Sequence, residues 1–265
     1  KKHCWKLENV LCELKKCVNH LRIKDINIYK MDYNIELPDN SLSLLPSEEY
    51  FFIIHNGLKE KIKLQDYQKM YQIPGLYDRV VSLLKYKTPE YLSTFLANEL
   101  QKTSFTISQL TILELGAGNG IAGEFLKNFG AKKIYGIDII DEAYDAMNRE
   151  RPNVYEKYFV EDLSMISSGT SKELNKINFN CLFCSSALSH IPPSAFSYAF
   201  NLMKNYAWIV LNLWTKSGFE TETGQLIKQM QAQRKLKIIS QQNYQHRLTV
   251  GGESIMCTAM VGQKI

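Results

Sequence analysis

The sequence predicts an α/β protein. Its core is a doubly wound, seven-stranded, mostly parallel sheet with an antiparallel hairpin at the carboxyl end, and a mainly helical extension precedes it. From residue 110 onward, short apolar segments of strand length alternate with segments of helix length. This alternation is typical of a parallel sheet with helices on both faces. After residue 233, two strand-like segments follow each other with no helix between them, which predicts the closing antiparallel pair.

Length and composition fit this fold and exclude several other classes. The chain has 265 residues, of which 45% are hydrophobic and 22% are charged, the balance of a globular protein rather than a disordered or fibrous one. No apolar stretch in the sequence approaches the roughly 18 residues that a membrane-spanning helix needs. The formal net charge is only +5. We therefore expect neither a membrane nor a nucleic acid as a partner.

Six cysteines are too few for a disulfide scaffold. Cys181 and Cys184 form a C-x-x-C pair inside an apolar run that is predicted to be a strand, where positions i and i+3 point to opposite faces. The two thiols therefore cannot share a metal ion, and we expect both in the core. Since the sequence also shows no signal-peptide pattern, we expect a reduced, cytoplasmic protein.

Residues 1–104 are predicted to form the extension, which we interpret as a lid, and residues 105–265 the core domain. Apolar positions three and four apart predict an amphipathic helix over residues 4–22. The other elements predicted in the extension are a strand or hairpin within 25–37, a buried run at 49–58, a helix over 67–84 interrupted at Pro74 and Gly75, and a helix from Pro89 to residue 100. The strands predicted in the core cover 110–115, 133–137, 155–160, 180–185, 207–213, 235–241 and 254–261, and the helices cover 121–129, 142–149, 193–206 and 225–233.

A glycine-rich loop follows the first core strand. It is formed by Glu114-Leu115-Gly116-Ala117-Gly118-Asn119-Gly120. Glycines at alternate positions allow a tight turn and bring backbone N–H groups close to a ligand, and the next helix offers its free N–H groups to an anion. Glu114 is placed to accept hydrogen bonds from an ammonium group.

Two more acidic residues end the next two predicted strands. Asp138 ends the second strand, where a carboxylate in a doubly wound sheet can accept hydrogen bonds from both hydroxyls of a ribose. Asp162 ends the third strand, where it can accept from an exocyclic amine such as that of adenine. The three acids thus predict sites for an ammonium, a ribose and an adenine at neighbouring strand ends.

This order of sites fits S-adenosylmethionine. Residues 110–213 resemble the class I S-adenosylmethionine-dependent methyltransferases, whose first motif is E/D-x-G-x-G-x-G, and the rest of the chain resembles them loosely. The resemblance implies their sheet, their cofactor and a methyltransferase activity. The cofactor-binding residues that it implies are Glu114 for the methionine amine, Gly116, Gly118 and Gly120 for the methionine portion, Asp138 at the ribose, Asp162 and Leu163 beside adenine, and Tyr77 as a cap. Ala117, Ile139 and Ser185 complete the predicted cofactor site.

The same loop also matches a second motif, which predicts a different cofactor. Gly118 to Gly123 also match G-x-G-x-x-G, the pattern of dinucleotide oxidoreductases. In those enzymes the glycines begin at the strand end and the preceding positions are apolar. Here Gly116 already ends the strand, and the carboxylate of Glu114 would repel a pyrophosphate. A nicotinamide enzyme and a non-catalytic Rossmann-like module are therefore the less favoured interpretations.

The resemblance implies a small-molecule acceptor, and we expect a hydroxyl of a natural-product intermediate, including one tethered to a carrier protein as in polyketide assembly. A hydroxyl acceptor needs a general base, and His190 is the candidate, with support of its loop as the alternative. His246, expected between the last two strands, and Trp214, after the fifth strand, are candidate residues of the substrate pocket, with core packing as the alternative for Trp214. The aromatic residues that would either roof this pocket or simply pack the extension are Tyr50, Phe51, Phe52, Tyr67, Tyr71 and Tyr77.

Motifs of other methyltransferase classes are missing from the sequence. After the fourth strand there is no Asn/Asp-Pro-Pro-Tyr/Phe segment, and the chain has no Pro-Cys nucleophile, no double-Glu clamp and no acidic metal-binding set. We therefore expect a metal-independent enzyme. The alternatives that stay open are N- or C-methyl transfer to a metabolite or a protein, and a catalytically silent cofactor-binding partner subunit.

Overall fold

A computed structural model describes residues 33–39 and 44–265. The helix predicted over residues 4–22 lies outside the described residues, as does most of the segment 25–37. In the described ranges, no helix combines the length and the apolar character that crossing a membrane requires.

The extension begins with a small antiparallel sheet. Its strands are β1 (Tyr33–Glu36), β2 (Tyr50–His55) and β3 (Leu58–Lys63), and β2 pairs with both of the others. Asn56 and Gly57 join β2 to β3 with φ angles of 49° and 76°, which is the left-handed pair that a two-residue hairpin needs. The β2 strand agrees with the predicted buried run, whereas β3 was not predicted.

Three helices follow the small sheet. They are α1 (Tyr67–Gln72), α2 (Leu76–Leu83) and α3 (Thr88–Gln101). The predicted interruption lies between α1 and α2, where Gly75 adopts a left-handed φ of 66° ahead of α2. Pro89 occupies the first turn of α3, where its missing N–H costs no hydrogen bond.

The core sheet has the predicted seven strands. In chain order its elements are β4 (Thr111–Leu115), α4 (Ile121–Asn128), β5 (Lys133–Asp138), α5 (Asp141–Glu150), β6 (Lys157–Val160), α6 (Ser168–Leu174), β7 (Cys181–Cys184), α7 (Pro193–Leu202), β8 (Trp208–Trp214), α8 (Glu222–Ala232), β9 (Leu236–Leu248) and β10 (Ser254–Lys264). The spatial order is β6-β5-β4-β7-β8-β10-β9. Strands β4 to β8 run parallel, and β10 is antiparallel to both β8 and β9, so the predicted fold is confirmed.

Helices cover both faces of this sheet. On one face α7 and α8 pack against β7 through residues that include Cys184, and on the other face α3 and α4 pack against Cys181. The two thiols are thus buried on opposite faces, as the strand period predicts. Because α3 packs on the core sheet, the described extension is continuous with the core, and a boundary at residue 104 stays a prediction.

Candidate functional site

The glycine loop between β4 and α4 is the geometric centre of the site. Gly116, Gly118 and Gly120 have φ angles of 72°, 53° and 82°, a region that other residues enter only with strain. A Cβ atom on Gly118 would lie 2.6 Å from the hydroxyl oxygen of Tyr71, and one on Gly116 would lie 2.2 Å from the Cβ of Ala187. A side chain is therefore excluded at Gly116 and at Gly118, and the Tyr71 hydroxyl lies over Gly118.

Asp138 holds this loop in place. Its carboxylate accepts from the backbone N–H of Gly118 at 2.9 Å and from that of Ile140 at 3.1 Å. Burial raises the pKa of Asp138, and the backbone N–H groups that donate to it oppose this rise. The hydroxyl of Tyr158 donates to the carbonyl of Gly118 at 2.8 Å from the other side. The loop and the end of β5 thus form one hydrogen-bonded unit.

A cavity of about 400 Å³ opens from this unit toward the extension. Its volume falls in the range of about 300–1,000 Å³ that is usual for small-molecule sites. The predicted site residues that line the cavity are Tyr77, Gly116, Asp138, Ile139, Asp162, Leu163, Ser185, His190, Trp214 and His246. Among the described residues, the cavity wall does not include Glu114, Ala117, Gly118 or Gly120.

Glu114 is buried under the loop. It is 1% exposed, and the hydroxyl of Tyr155 donates to its Oε2 atom at 2.9 Å. Burial raises the pKa of Glu114 to about 8, against the lowering effect of the Tyr155 hydrogen bond. The assignment of Glu114 to an ammonium group remains a prediction. In this geometry the carboxyl group lies beneath the loop and would have to reach a ligand from that side.

The cavity rim beside β5 and β6 combines an apolar surface with a charged hydrogen-bond acceptor, as a site for a flat ring with polar edge atoms requires. Ile139 is 63% exposed although it is apolar, and Leu163 is buried, and both line the cavity. Asp162 accepts from the backbone N–H and the hydroxyl of Ser164 at 2.8 and 2.6 Å, and these hydrogen bonds lower its pKa. An apolar contact surface next to a charged acceptor fits the predicted adenine site.

His190 lies in a one-turn 3₁₀ helix, Leu188–His190, that follows β7. Its ring is 5.8 Å from the ring of Tyr67 in an edge-to-face arrangement. The residue is exposed, yet the protein around the ring disfavours the charged form and lowers its pKa. His190 is therefore a neutral ring near pH 7, able to accept a proton.

His246 was expected between the last two strands, and this position was wrong: it lies inside β9, which continues to residue 248. Its Nδ1 atom is 2.6 Å from the hydroxyl oxygen of Thr88, and its ring packs edge-to-face on Tyr86 at 5.2 Å. Burial and the neighbouring Arg247 lower its pKa to about 3, so the ring is neutral. Trp214, at the end of β8, is half-buried against the cavity.

The aromatic residues of the extension divide into two groups. Tyr67, Tyr71 and Tyr77 line the cavity, whereas Phe51 lies in the core of the small sheet, against which Tyr67 and Tyr77 also pack. Tyr50 and Phe52 lie under Lys61 and Lys59 in cation–π contacts on β2 and β3. Cavity residues that the sequence did not reveal include Tyr86, Ser186 and Arg247. No motif or spacing marks Tyr86 or Arg247, whereas Ser186 directly follows the predicted cofactor residue Ser185 in the loop after the fourth core strand.

The fold is that of the class I S-adenosylmethionine-dependent methyltransferases. A solved structure of magnesium protoporphyrin IX methyltransferase from Synechocystis PCC 6803, with bound S-adenosylhomocysteine, aligns with a TM-score of 0.50 and 13% identity over 70% of this chain and 85% of that one. At 13% identity this likeness establishes the fold alone.

Two further solved structures have lower TM-scores. A putative RNA methyltransferase from Pyrococcus horikoshii gives 0.49 at 18% identity, over 67% of this chain and 84% of that one. The N-methyltransferase NodS from Bradyrhizobium japonicum WM9 gives 0.47 at 13% identity, over 66% and 86%. No protein-family model and no curated protein sequence matches the chain.

Proposed function

We propose that this protein transfers a methyl group from S-adenosylmethionine to a hydroxyl of a small-molecule acceptor. One observation carries the proposal: a single cavity is lined both by predicted cofactor residues and by His190, His246 and Trp214. The structural neighbour with bound S-adenosylhomocysteine supports the choice of cofactor. A natural-product acceptor, and its tethering to a carrier protein, stay predictions from the family resemblance.

The residues present fit this cofactor. Gly116 lines the cavity where the methionine portion is expected, Asp138 retains lone pairs for ribose hydroxyls, and the exposed side chain of Ile139 offers an apolar surface for adenine. When bound, S-adenosylmethionine supplies a methyl group on a positively charged sulfur, with a neutral thioether as the leaving group.

The chain itself has three tasks in such a reaction. It orients the acceptor, it excludes water, and it holds the proton that the acceptor hydroxyl loses as its oxygen bonds to the methyl carbon. The neutral ring of His190 is the group in the cavity suited to take that proton and pass it to solvent. Tyr67 limits the motion of this ring by packing against it.

Calorimetry tests the cofactor assignment. Wild-type protein is titrated with S-adenosylmethionine and S-adenosylhomocysteine, alongside Asp138→Ala and the control Asp145→Ala, which removes an exposed carboxylate on α5. Loss of a charged hydrogen-bond acceptor should cost about 1–3 kcal/mol, or roughly five- to 150-fold in Kd, for Asp138→Ala alone. If the wild type binds neither compound but binds a nicotinamide coenzyme, the proposal is wrong.

Turnover tests the role of His190. Methylation is measured against a panel of hydroxy and amino metabolites, and His190→Ala should lower turnover by about 10²-fold or more with little change in cofactor Kd. Because the pKa of His190 is lowered, kcat/KM should fall on the acid side with an apparent pKa below 6.5. Full turnover in His190→Ala removes the base assignment, and an absence of turnover with any acceptor favours the silent subunit.

A further inference from the structure

Apart from the acids at the ends of β5 and β6, the described lining of the cavity is electrically neutral, and we call this remaining part the acceptor end. Asp138, Glu161 and Asp162 lie together at the ends of β5 and β6, where the cofactor is proposed to bind. Arg247 is the cation among the described residues that line the cavity, and its guanidinium donates to both carboxylate oxygens of buried Glu49 and to a backbone carbonyl. This pairing neutralises Arg247, so an acidic acceptor would find no free cation there.

The walls of this end are mainly aromatic and apolar. Ring systems of this kind contact flat apolar molecules over large areas, and a cavity that excludes water penalises an unpaired charge. The residues concerned are Leu64, Tyr67, Met70, Val81, Leu84 and Trp214. They favour an uncharged ligand that carries a ring.

Two buried hydroxyl groups interrupt the apolar wall. The side-chain oxygens of Ser185 and Ser186 are buried without a hydrogen-bond partner in the described part of the chain, and both residues line the cavity. Ser186 has a φ of 63°, a strained region for a residue with a side chain, and Asn212 accepts from its backbone N–H at 2.8 Å. Buried polar groups are normally paired, so these hydroxyls indicate a place for a polar ligand atom.

Tyr86 and His246 complete the cluster. The Tyr86 hydroxyl is near enough to Ser186 and Ser185 to have its pKa lowered by them, although neither serine completes a hydrogen bond of normal geometry among the described residues. Burial outweighs this effect and raises the Tyr86 pKa to about 12, so the hydroxyl remains a donor. His246 lies against the Tyr86 ring, and Thr88 fixes its Nδ1 edge.

Resting on the proposed function, we propose that the acceptor is an uncharged, ring-bearing molecule that presents an oxygen atom to the polar cluster of Tyr86, Ser186 and His246. The cluster acts as a specificity element: it orients the oxygen-bearing edge of the ring, and the apolar wall holds the remainder. The paired Arg247 selects against carboxylates, and the absence of a free acid among the described residues at this end selects against ammonium groups.

Three probes of one shape test the charge argument. Protein saturated with S-adenosylhomocysteine is titrated with 2-naphthol, 2-naphthoate and 2-naphthylmethylammonium by calorimetry. We expect 2-naphthol to bind at least tenfold more tightly than either charged probe. Equal or tighter binding of a charged probe, or no binding of 2-naphthol, overturns the inference. Failure of S-adenosylhomocysteine itself to bind would instead contradict the proposed function, so the two failures are distinguishable.

Two variants test the polar cluster. Tyr86→Phe and Ser186→Gly each remove one hydroxyl, and Ser186→Gly also relieves the left-handed strain, so that it retains the fold if Tyr86→Phe does not. Each should weaken 2-naphthol binding threefold or more while the Kd of S-adenosylhomocysteine stays within twofold. Tyr206→Phe, at a side chain 71% exposed and outside the cavity wall, is the matched control. Unchanged 2-naphthol affinity in both cluster variants overturns the assignment.

Discussion

Replacing Glu114 by glutamine should remove a large pH dependence of stability. The carboxyl group is 1% exposed, and burial raises its pKa from an ordinary 4.5 to about 8. Between these two values the folded chain retains a proton that the unfolded chain has lost. The free energy of unfolding therefore falls as pH rises, by about 1.4 kcal/mol per pH unit. The loss is complete above the pKa that Glu114 has in the folded state.

The magnitude can be tested between pH 5.5 and 7.5. Over this interval of two units the group alone should lower the free energy of unfolding by about 2.5 kcal/mol, since the folded group begins to ionise near pH 7.5. Glu114→Gln keeps an acceptor for the Tyr155 hydroxyl but has no proton to lose, so this part of the slope should vanish. The measurement is urea unfolding at pH 5.5, 6.5 and 7.5. Glu173→Gln, which removes an exposed carboxylate paired with Lys157, is the control and should follow the wild type. Parallel pH profiles for wild type and Glu114→Gln would refute the reasoning.

Proton release on cofactor binding tests whether Glu114 recognises the methionine amine. A protonated carboxyl group that receives an ammonium must ionise, so binding at pH 7 should release close to one proton from a group whose pKa is about 8. Titrations of S-adenosylmethionine in buffers of different ionisation enthalpy measure this number. No proton release by the wild type would remove Glu114 from the amine site and leave it a buried structural residue.

Two further substitutions test the loop and its attachment. Gly118→Ala places a Cβ atom 2.6 Å from the Tyr71 hydroxyl at a φ of 53°, so it should lower both the melting temperature and the affinity for S-adenosylhomocysteine. Adding Tyr71→Phe removes the steric contact and should restore part of the lost stability, but the backbone strain of about 1–2 kcal/mol should remain. An unchanged melting temperature and affinity in Gly118→Ala alone would contradict the geometry. Arg151→Met removes hydrogen bonds to Asp78 at 2.6 Å and Glu124 at 2.9 Å, and should cost about 1.5–3 kcal/mol in urea unfolding. Stability equal to the wild type would show that the contacts of Arg151 with these two partly exposed carboxylates contribute nothing net.

The core could be predicted from sequence because its signals are local. Buried parallel strands are short apolar runs, and helices with their own period are predicted in three of the four connections between them, so the alternation indicates both the number of strands and their ends. The strand ends in turn place the acidic residues, since the carboxyl ends of β4, β5 and β6 are neighbours in the sheet. For this reason the amino-acid pattern is sufficient to assign Asp138 and Asp162 to one edge of the sheet.

Elements with weak apolar signals were missed. In β3, Leu58–Lys63, only Ile62 is buried, and lysines occupy three of the other positions. The Asn56-Gly57 pair is the strongest short hairpin signal and would have revealed the strand. The last residues of β9 are mostly polar because the strand is an edge with a single neighbour, so its predicted end at residue 241 was seven residues early. The helix α6 was also missed, because its only buried residue is Leu174 and it therefore shows no apolar period.

The polar cluster could not be predicted for a different reason. Its members come from a loop before α3, a loop after β7 and the edge strand β9, and are separated by about 100 and 60 residues of chain. Nothing in the local sequence of Tyr86 distinguishes a cavity residue from a surface one, and the only sequence signal for Ser186 is its place beside Ser185 in the loop after β7. Their significance comes from burial, a strained φ and missing partners among the described residues, and these are properties of tertiary structure.

The attachment of the extension argues against a hinged lid in the described part of the chain. Asn119, within the glycine loop, donates from Nδ2 to Asp78 of α2 and to Glu150 of α5, each at 2.8 Å. Glu150 also accepts from the backbone N–H of Gly75 at 2.9 Å, so loop, core helix and extension share one carboxylate. Moving α2 away would leave these groups unpaired at about 1–3 kcal/mol each. We therefore interpret α2 as a fixed wall that sets the shape of the glycine loop, and we expect ligands to exchange past the exposed rim at Ile139 and His190.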